Sequence, residues 1–410
     1  MTENGEFSNE CETKHPGWLP LSDLLDTADP LFGKVLFLPG YEFSSNVYVV
    51  EGTYLSIVDP GNDYTTFIDL FERGYRPSDV KKVVLTHGHR DHAMGVFDLL
   101  RSYPAILENG GFELILHEAS PPELKDMARN SGCRVTEVRG GETVEIGGLD
   151  WEVIHTPGHT LDGICLYHPP SRTVFSGDTV LPHAMAETDE NAGGRLDHYL
   201  FGIRALLGKD IRNVLPGHGF PVGSSGRKVI EDTYEGLMLK IIGVEAKAKT
   251  PWIEGATALA QRGFLQEAVF CCEKELVCNP ENLMALQLKA FSLNDLGRFQ
   301  EALESLDRLE ALRVQEKGDL FPLIGRGYAL MGLGRYGESV EYFDEALQVT
   351  PGVKDALIYK GMALYLAGNY DAAMEIEHFR TEFVGRFKEE LLREKRPASS
   401  SDAEGKQETS

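Results

Sequence analysis

The segment Thr86-His87-Gly88-His89-Arg90-Asp91-His92 places three imidazoles and a carboxylate directly behind an apolar run at residues 80–85. Imidazole and carboxylate without thiolate suit zinc, with iron and manganese as alternatives. His87 and His89 lie two residues apart, so an extended or tightly looped backbone turns both to one side. Asp91 and His92 follow where the chain enters a helix and can face a second centre. Three later segments supply more donors: Thr156-Pro157-Gly158-His159-Thr160, Ser176-Gly177-Asp178-Thr179 and Leu215-Pro216-Gly217-His218-Gly219. Each sets a ligand-type residue beside a glycine, where the backbone can turn sharply at the end of a strand.

The elements that must carry these donors are short apolar runs bounded by turn signals. Strands are expected at 47–50, 54–58, 80–85, 114–116, 143–146, 151–155, 164–167, 173–176 and up to 215, with helices at 65–73, 93–103 and 196–207. Antiparallel-style strands with occasional helices suggest two sheets covered by helices, an α+β fold. Near Thr250-Pro251 strand signals stop. Gly263-Phe264, Gly297-Arg298-Phe299, Gly334-Arg335-Tyr336 and Gly368-Asn369-Tyr370 then recur at spacings of 34, 37 and 34 residues. Small residues keep register before them (Ala256, Ala290, Gly327, Gly361) and after them (Ala268, Ala302, Ser339, Ala373), which describes stacked helical hairpins. The three extra residues before the third unit fit a longer loop around Glu316 to Asp319.

In order and context the donor segments resemble the metallo-β-lactamase superfamily over roughly residues 30–245. The resemblance implies an αββα sandwich with metals in a shallow cleft at one edge. It implies that His87, His89 and His159 bind one metal, that Asp91, His92 and His218 bind a second, and that Asp178 bridges them. Asp178 stands where antibiotic-hydrolysing members carry cysteine, and His92 where many carry arginine, which disfavours penicillin hydrolysis. The set is more similar to glyoxalase II and ribonuclease Z. Asp59-Pro60-Gly61 matches the family's early Asp-x-Gly turn, so Asp59 is expected behind the ligands, and His183 is a second candidate for such a place. Asp91 is the expected catalytic residue, orienting the nucleophile and receiving a proton. His155 is expected to be a packing residue, and His198 and Tyr199 begin a helix near the cleft. The helical repeats resemble tetratricopeptide repeats over about 250–385, with Leu286, Leu323 and Leu357 where tryptophan is usual.

The expected organisation is a flexible leader (1–16), a metallo-β-lactamase-like domain (17–248), a tetratricopeptide-repeat domain (249–390) and a disordered tail (391–410). The expected function is a two-metal hydrolase, zinc first, acting on an ester, thioester, lactone or phosphoester. Rival readings are a mononuclear iron persulfide dioxygenase, a ribonuclease of the same fold, and a scaffold that binds a protein or peptide through the repeats. The net charge of −24 repels polyanions and disfavours nucleic acid. None of the six cysteines forms a Cys-x-x-Cys pair, no signal-peptide pattern opens the chain, and no apolar run reaches the roughly 18–20 residues of a membrane helix. A cytoplasmic enzyme with a small-molecule substrate is the expectation.

Overall fold

The computed structural model describes residues 17–25, 29–41, 43–62, 65–107, 111–243, 252–312 and 319–394. The expected leader (1–16), most of the loop at 316–319 and the tail beyond residue 394 lie outside these described residues. The chain divides into two compact units, Met1–Gly243 and Val244–Ser410.

In the first unit, strands β1 (Leu19–Pro20), β2 (Val35–Leu38), β3 (Val47–Glu51), β4 (Leu55–Val58), β5 (Val80–Val84), β6 (Glu113–His117) and β7 (Arg134–Val138) form one sheet in sequence order. Strands β8 (Thr143–Ile146), β9 (Leu149–His155), β10 (Ile164–His168), β11 (Thr173–Gly177) and β12 (Asn213–Pro216) form the second, ordered β12-β11-β10-β9-β8. Helices are α1 (Thr65–Glu72), α2 (Arg90–Ala93), α3 (Gly95–Ser102), α4 (Pro122–Asn130), α5 (Leu196–Leu207) and α6 (Gly226–Ile242).

Side-chain alternation builds the layers. Tyr48 and Val50 of β3 face the second sheet and join Trp151, Val153 and Phe175 in the core between the sheets. Val47 and Val49 face the other way, onto Phe67, Leu70, Val96 and Leu99 of α1 and α3. Both faces are buried, so residues 47–50 of β3 read as an unbroken apolar run, and β4 is broken only by Ser56. Trp151 is fully buried with its ring 4.7 Å from that of Phe175; truncating such a side chain costs about 3–5 kcal/mol. α5 packs on β9 and α6 on β12, covering the second sheet.

The antiparallel-style expectation holds only in part. β4–β5, β5–β6 and β6–β7 are parallel, as are β11–β12. Parallel neighbours need a crossover, and α1, the α2–α3 pair and α4 supply it within the first sheet. The expected helix at 93–103 is two pieces meeting at Met94. β1, β2, α4, β7 and α6 lie outside the expected elements; α4 and the edge strand β7 are mostly polar, so no apolar run announces them.

Strand direction decides where the donors emerge. β10 is antiparallel to both β9 and β11, so β9, β11 and β12 all point the same way. Their C-terminal ends meet those of β4 and β5 at one edge of the sandwich. The sheets are stitched there by Ile164 N to Thr86 O (2.8 Å) and Asn46 N to Gly217 O (2.7 Å).

The second unit contains, among the described residues, α7 (Trp252–Gln261), α8 (Leu265–Cys278), α9 (Leu283–Asp295), α10 (Phe299–Leu312), α11 (Leu320–Gly332), α12 (Tyr336–Val349), α13 (Lys354–Leu366), α14 (Tyr370–Glu375) and α15 (Glu377–Glu394). The last helix thus extends into the segment 391–410 expected to be disordered. The four marker glycines Gly263, Gly297, Gly334 and Gly368 all have φ between +73° and +85°, the left-handed turn that ends one helix and starts the next. A Cβ on Gly327 would lie 2.7 Å from the Phe343 ring, which explains the small residue in that register. Basic residues Lys289, Arg326 and Lys360 pair with Glu273, Asp307 and Asp344 on the preceding hairpins.

Candidate metal centre

The cluster is assembled from Asp59 upward. Asp59 follows β4 with φ +52°, a left-handed conformation that aspartate tolerates better than most residues. Its Oδ1 accepts from Thr86 N (2.8 Å). Its Oδ2 accepts from Thr86 Oγ1 (2.6 Å) and His92 Nδ1 (2.8 Å). A carboxylate only accepts, so the Thr86 hydroxyl proton points at Asp59. Its lone pair is then left for the His87 Nδ1–H at 3.2 Å. The network therefore assigns both His87 and His92 the tautomer whose Nε2 lone pair faces the cleft.

Two groups of donors converge there. His89 Nδ1 lies 3.1 Å from His87 Nε2 and 3.0 Å from His159 Nε2. His92 Nε2 lies 3.6 Å from Asp91 Oδ2 and 3.4 Å from Asp178 Oδ1. His218 Nε2 lies 3.1 Å from Asp91 Oδ2 and 3.6 Å from Asp178 Oδ2. Asp178 Oδ2 also lies 3.6 Å from His159 Nε2, so this carboxylate faces both groups. Sets of three donors within 4.8 Å of one another are His87/His89/His159, His87/His92/Asp178 and Asp91/His92/His218.

Electron-pair donors packed this closely need a positive partner. His92 Nε2 and Asp178 Oδ1 are buried without a hydrogen-bond partner among the described residues, a costly state for polar atoms unless a cation receives them. Nitrogen and oxygen donors without sulfur fit a divalent cation. Burial, together with the neighbouring imidazoles His92, His159 and His89, holds His87 well below the ordinary histidine value and keeps it neutral. Burial pushes His92 the same way, but the carboxylates Asp178 and Asp59 outweigh it and raise His92 well above that value. Burial opposes ionisation of Asp178, yet the charge of His92, with His87 and His218, holds it far below the usual carboxylate range.

The family model described as the metallo-beta-lactamase superfamily matches residues 40–218, which contain every one of these donors. The first unit carries a metallo-beta-lactamase superfamily domain. A tetratricopeptide-repeat model matches residues 324–377. The chain is 27% identical over 232 residues to an atrochrysone carboxyl ACP thioesterase from Paecilomyces divaricatus, covering 55% of this chain and 67% of that one. It is 36% identical over 130 residues to a hydroxyacylglutathione hydrolase from Yersinia enterocolitica, covering 32% and 44%. The chain spans about half to two thirds of the length of the curated relatives it matches. Among solved structures it is similar to a metallo-beta-lactamase family protein from Thermus thermophilus (TM-score 0.39, 21% identity, 55% of this chain and 87% of that one).

Within the metallo-beta-lactamase domain, His87, His89, Asp91, His92, His159, Asp178 and His218 all lie in the cluster, and Asp59 stands directly behind it. His183 is exposed, and among the described residues no hydrogen bond or ion pair joins it to the cluster. His155 stacks on His117 (ring centroids 4.1 Å apart, planes at 16°) and its Nε2–H donates to Leu161 O, a packing role. The Tyr199 hydroxyl lies 3.0 Å from the carbonyls of Asp178 and Thr179 and anchors that turn. Gly217 is needed for its size: a Cβ there would sit 2.3 Å from Asp178 Oδ1 and 2.7 Å from His92 Cε1. Sequence reasoning missed Asn46, Tyr48 and Asp189. Asn46 Nδ2 and Tyr48 Oη bond to Pro216 O at 2.9 and 2.8 Å and fix the turn that carries His218. Asp189 Oδ2 lies 3.1 Å from His89 Nε2. No motif marks any of the three.

Proposed function

We propose that the metallo-beta-lactamase domain is a two-cation hydrolase, with zinc as the first choice, acting on an ester or thioester. In this reading His87, His89 and His159 hold one cation, Asp91, His92 and His218 hold the other, and Asp178 serves both. The observation that carries it is the pair of unpartnered buried atoms, His92 Nε2 and Asp178 Oδ1, at the meeting point of the two groups. Cations bound there supply a water with its pKa lowered towards about 7 and polarisation of the scissile carbonyl.

The chain's own residues do the rest. Asp59 and Thr86 fix proton positions so that His87 and His92 present lone pairs. Asp91 is partly exposed at the mouth. Burial works against its ionisation, but the hydrogen bond from His218 and the nearby His92 keep its carboxyl below the ordinary value. It is therefore ionised at neutral pH, able to orient a nucleophile and take its proton at Oδ2. Leu161 and Phe220 each follow a cluster histidine by two residues and are exposed, a rim that favours an apolar acyl group. The names of the relatives, an acyl carrier thioesterase and a hydroxyacylglutathione hydrolase, support ester and thioester chemistry. The repeats support a role in binding a protein or peptide.

The test joins elemental analysis of the purified chain to a screen of esters, thioesters, lactones and phosphodiesters. Two zinc per chain with hydrolysis of an ester or thioester is expected. An Asp91→Ala protein that hydrolysed as fast as wild type would sink the mechanism.

A further inference from the structure

We propose that residues 187–195 form a clasp on the three-histidine group alone, with Asp189 as the positioning residue for His89. This rests on the two-cation reading above.

The clasp reaches two of the three imidazoles from outside. Asp189 Oδ2 lies 3.1 Å from His89 Nε2, while His89 Nδ1 faces His87 and His159. His89 therefore donates its proton outward to Asp189 and turns its lone pair inward. The carbonyl of Glu187 does the same for His159, accepting from Nδ1 at 2.5 Å and leaving Nε2 inward. Three backbone hydrogen bonds fasten the segment to the histidine turn: Asp189 N to His159 O (2.8 Å), Arg195 N to Gly158 O (2.9 Å) and Leu161 N to Ala192 O (2.9 Å), while Gly194 N to Asp189 O (2.7 Å) closes the segment on itself. The wrap is tight, since a Cβ on Gly194 would fall 2.2 Å from His159 O. Asp189 also shapes its own turn, its Oδ1 accepting from Asn191 N and Ala192 N at 2.9 and 3.4 Å.

The second group is held differently. His92 leans on Asp59, and among the described residues the clasp makes no hydrogen bond to Asp91, His92 or His218. Carboxylates that receive the outer N–H of a ligating histidine orient the ring and raise its basicity, and losing one costs about 10–100-fold in metal affinity. That loss should fall on one site of two. Any ligand that moves the clasp changes loading of the three-histidine group, and the reverse holds by linkage.

Asp189→Asn separates the two jobs of this side chain. An amide can keep its oxygen on the Asn191 and Ala192 N–H groups, but then its NH2 meets the His89 N–H donor to donor. The full chain is stripped of metal and titrated with zinc against a chromophoric chelator. Wild type is expected to bind two zinc ions. Asp189→Asn is expected to weaken one by about 10–100-fold and leave the other unchanged. Two unchanged affinities, or two that fall together, overturn the inference while the metal reading stands. Wild type that takes up no zinc overturns the metal reading, and this inference with it. If Asp189→Asn fails to fold, Asp189→Ser keeps a cap for the turn with a side chain too short to reach His89.

Discussion

Replacing Asp59 by asparagine should empty the metal centre without unfolding the domain. Its carboxylate sets the direction of every proton in the chain Asp59–Thr86–His87 and in the pair Asp59–His92. In Asp59→Asn the oxygen stays on Thr86 N, so the NH2 takes the place of Oδ2. Its two hydrogens then meet Thr86 Oγ1 and His92 Nδ1. The amide donates to both, the freed Thr86 hydroxyl donates to His87 Nδ1, and both imidazoles reverse tautomer. All these hydrogen bonds remain satisfied, and asparagine also tolerates φ +52°, so the metal-free fold should melt within a few degrees of wild type. His87 and His92 now aim N–H rather than a lone pair at the cleft. Restoring the ligating tautomer of His92 sets its Nδ1–H against the amide N–H with no acceptor between them, about 1–3 kcal/mol, or roughly 5–150-fold in affinity. His87 is reached through a neutral hydroxyl, where about 0.5–1.5 kcal/mol is at stake. Asp59→Ala is the contrast. It strands the Thr86 N–H, the Thr86 hydroxyl and the His92 N–H at about 1–3 kcal/mol each, a total of about 3–9 kcal/mol, and should destabilise the domain severely. Chelator-competition titration with zinc and thermal melts of the metal-free proteins read both effects. Asp59→Asn that binds zinc as tightly as wild type would refute the proton-direction argument. A metal-free Asp59→Ala as stable as wild type would refute the burial argument.

Three further outcomes follow from the same geometry. Gly217→Ala drives a methyl into Asp178 and His92; overpacking of this kind costs about 1–3 kcal/mol, and elemental analysis should show metal lost with it. The pKa of His92 is raised above its ordinary value, and a ligating imidazole must give up its proton. Zinc affinity should therefore rise with pH across that elevated range and fall as a lower pH restores the proton, measured by competition titration at neutral and alkaline pH. Chelation should lower the melting transition of the metallo-beta-lactamase unit, by about 2.7 kcal/mol where zinc had stood at 100 times its Kd, and leave the repeat unit's transition in place by calorimetry.

Much of the centre was legible because each donor sits beside a turn at the end of an apolar run. A buried strand, a glycine and a histidine or aspartate together constrain local geometry, and His87, His159, Asp178 and His218 all carry that pattern. Strand direction was not legible in the same way. An apolar run says that both faces are buried, but β5 beside β4 reads the same whether parallel or antiparallel. Asp189 was hidden for a different reason. It lies 100 residues from its partner His89, in a loop with no periodicity, and only the folded path of the chain brings them together. The repeat period was visible because four glycines must repeat one left-handed turn.

The two sheets contribute donors unequally and in sequence. His87, His89, Asp91 and His92 hang from the first sheet, while His159, Asp178 and His218 hang from the second. In the proposed assignment each cation takes donors from both, so it would act as a rivet through the sandwich. A ribosome delivers the first four well before the last three, and half a set binds a cation weakly. Metal capture would then be a late event that follows closure of the sandwich, and a chain starved of metal would be prone to gape along this edge first.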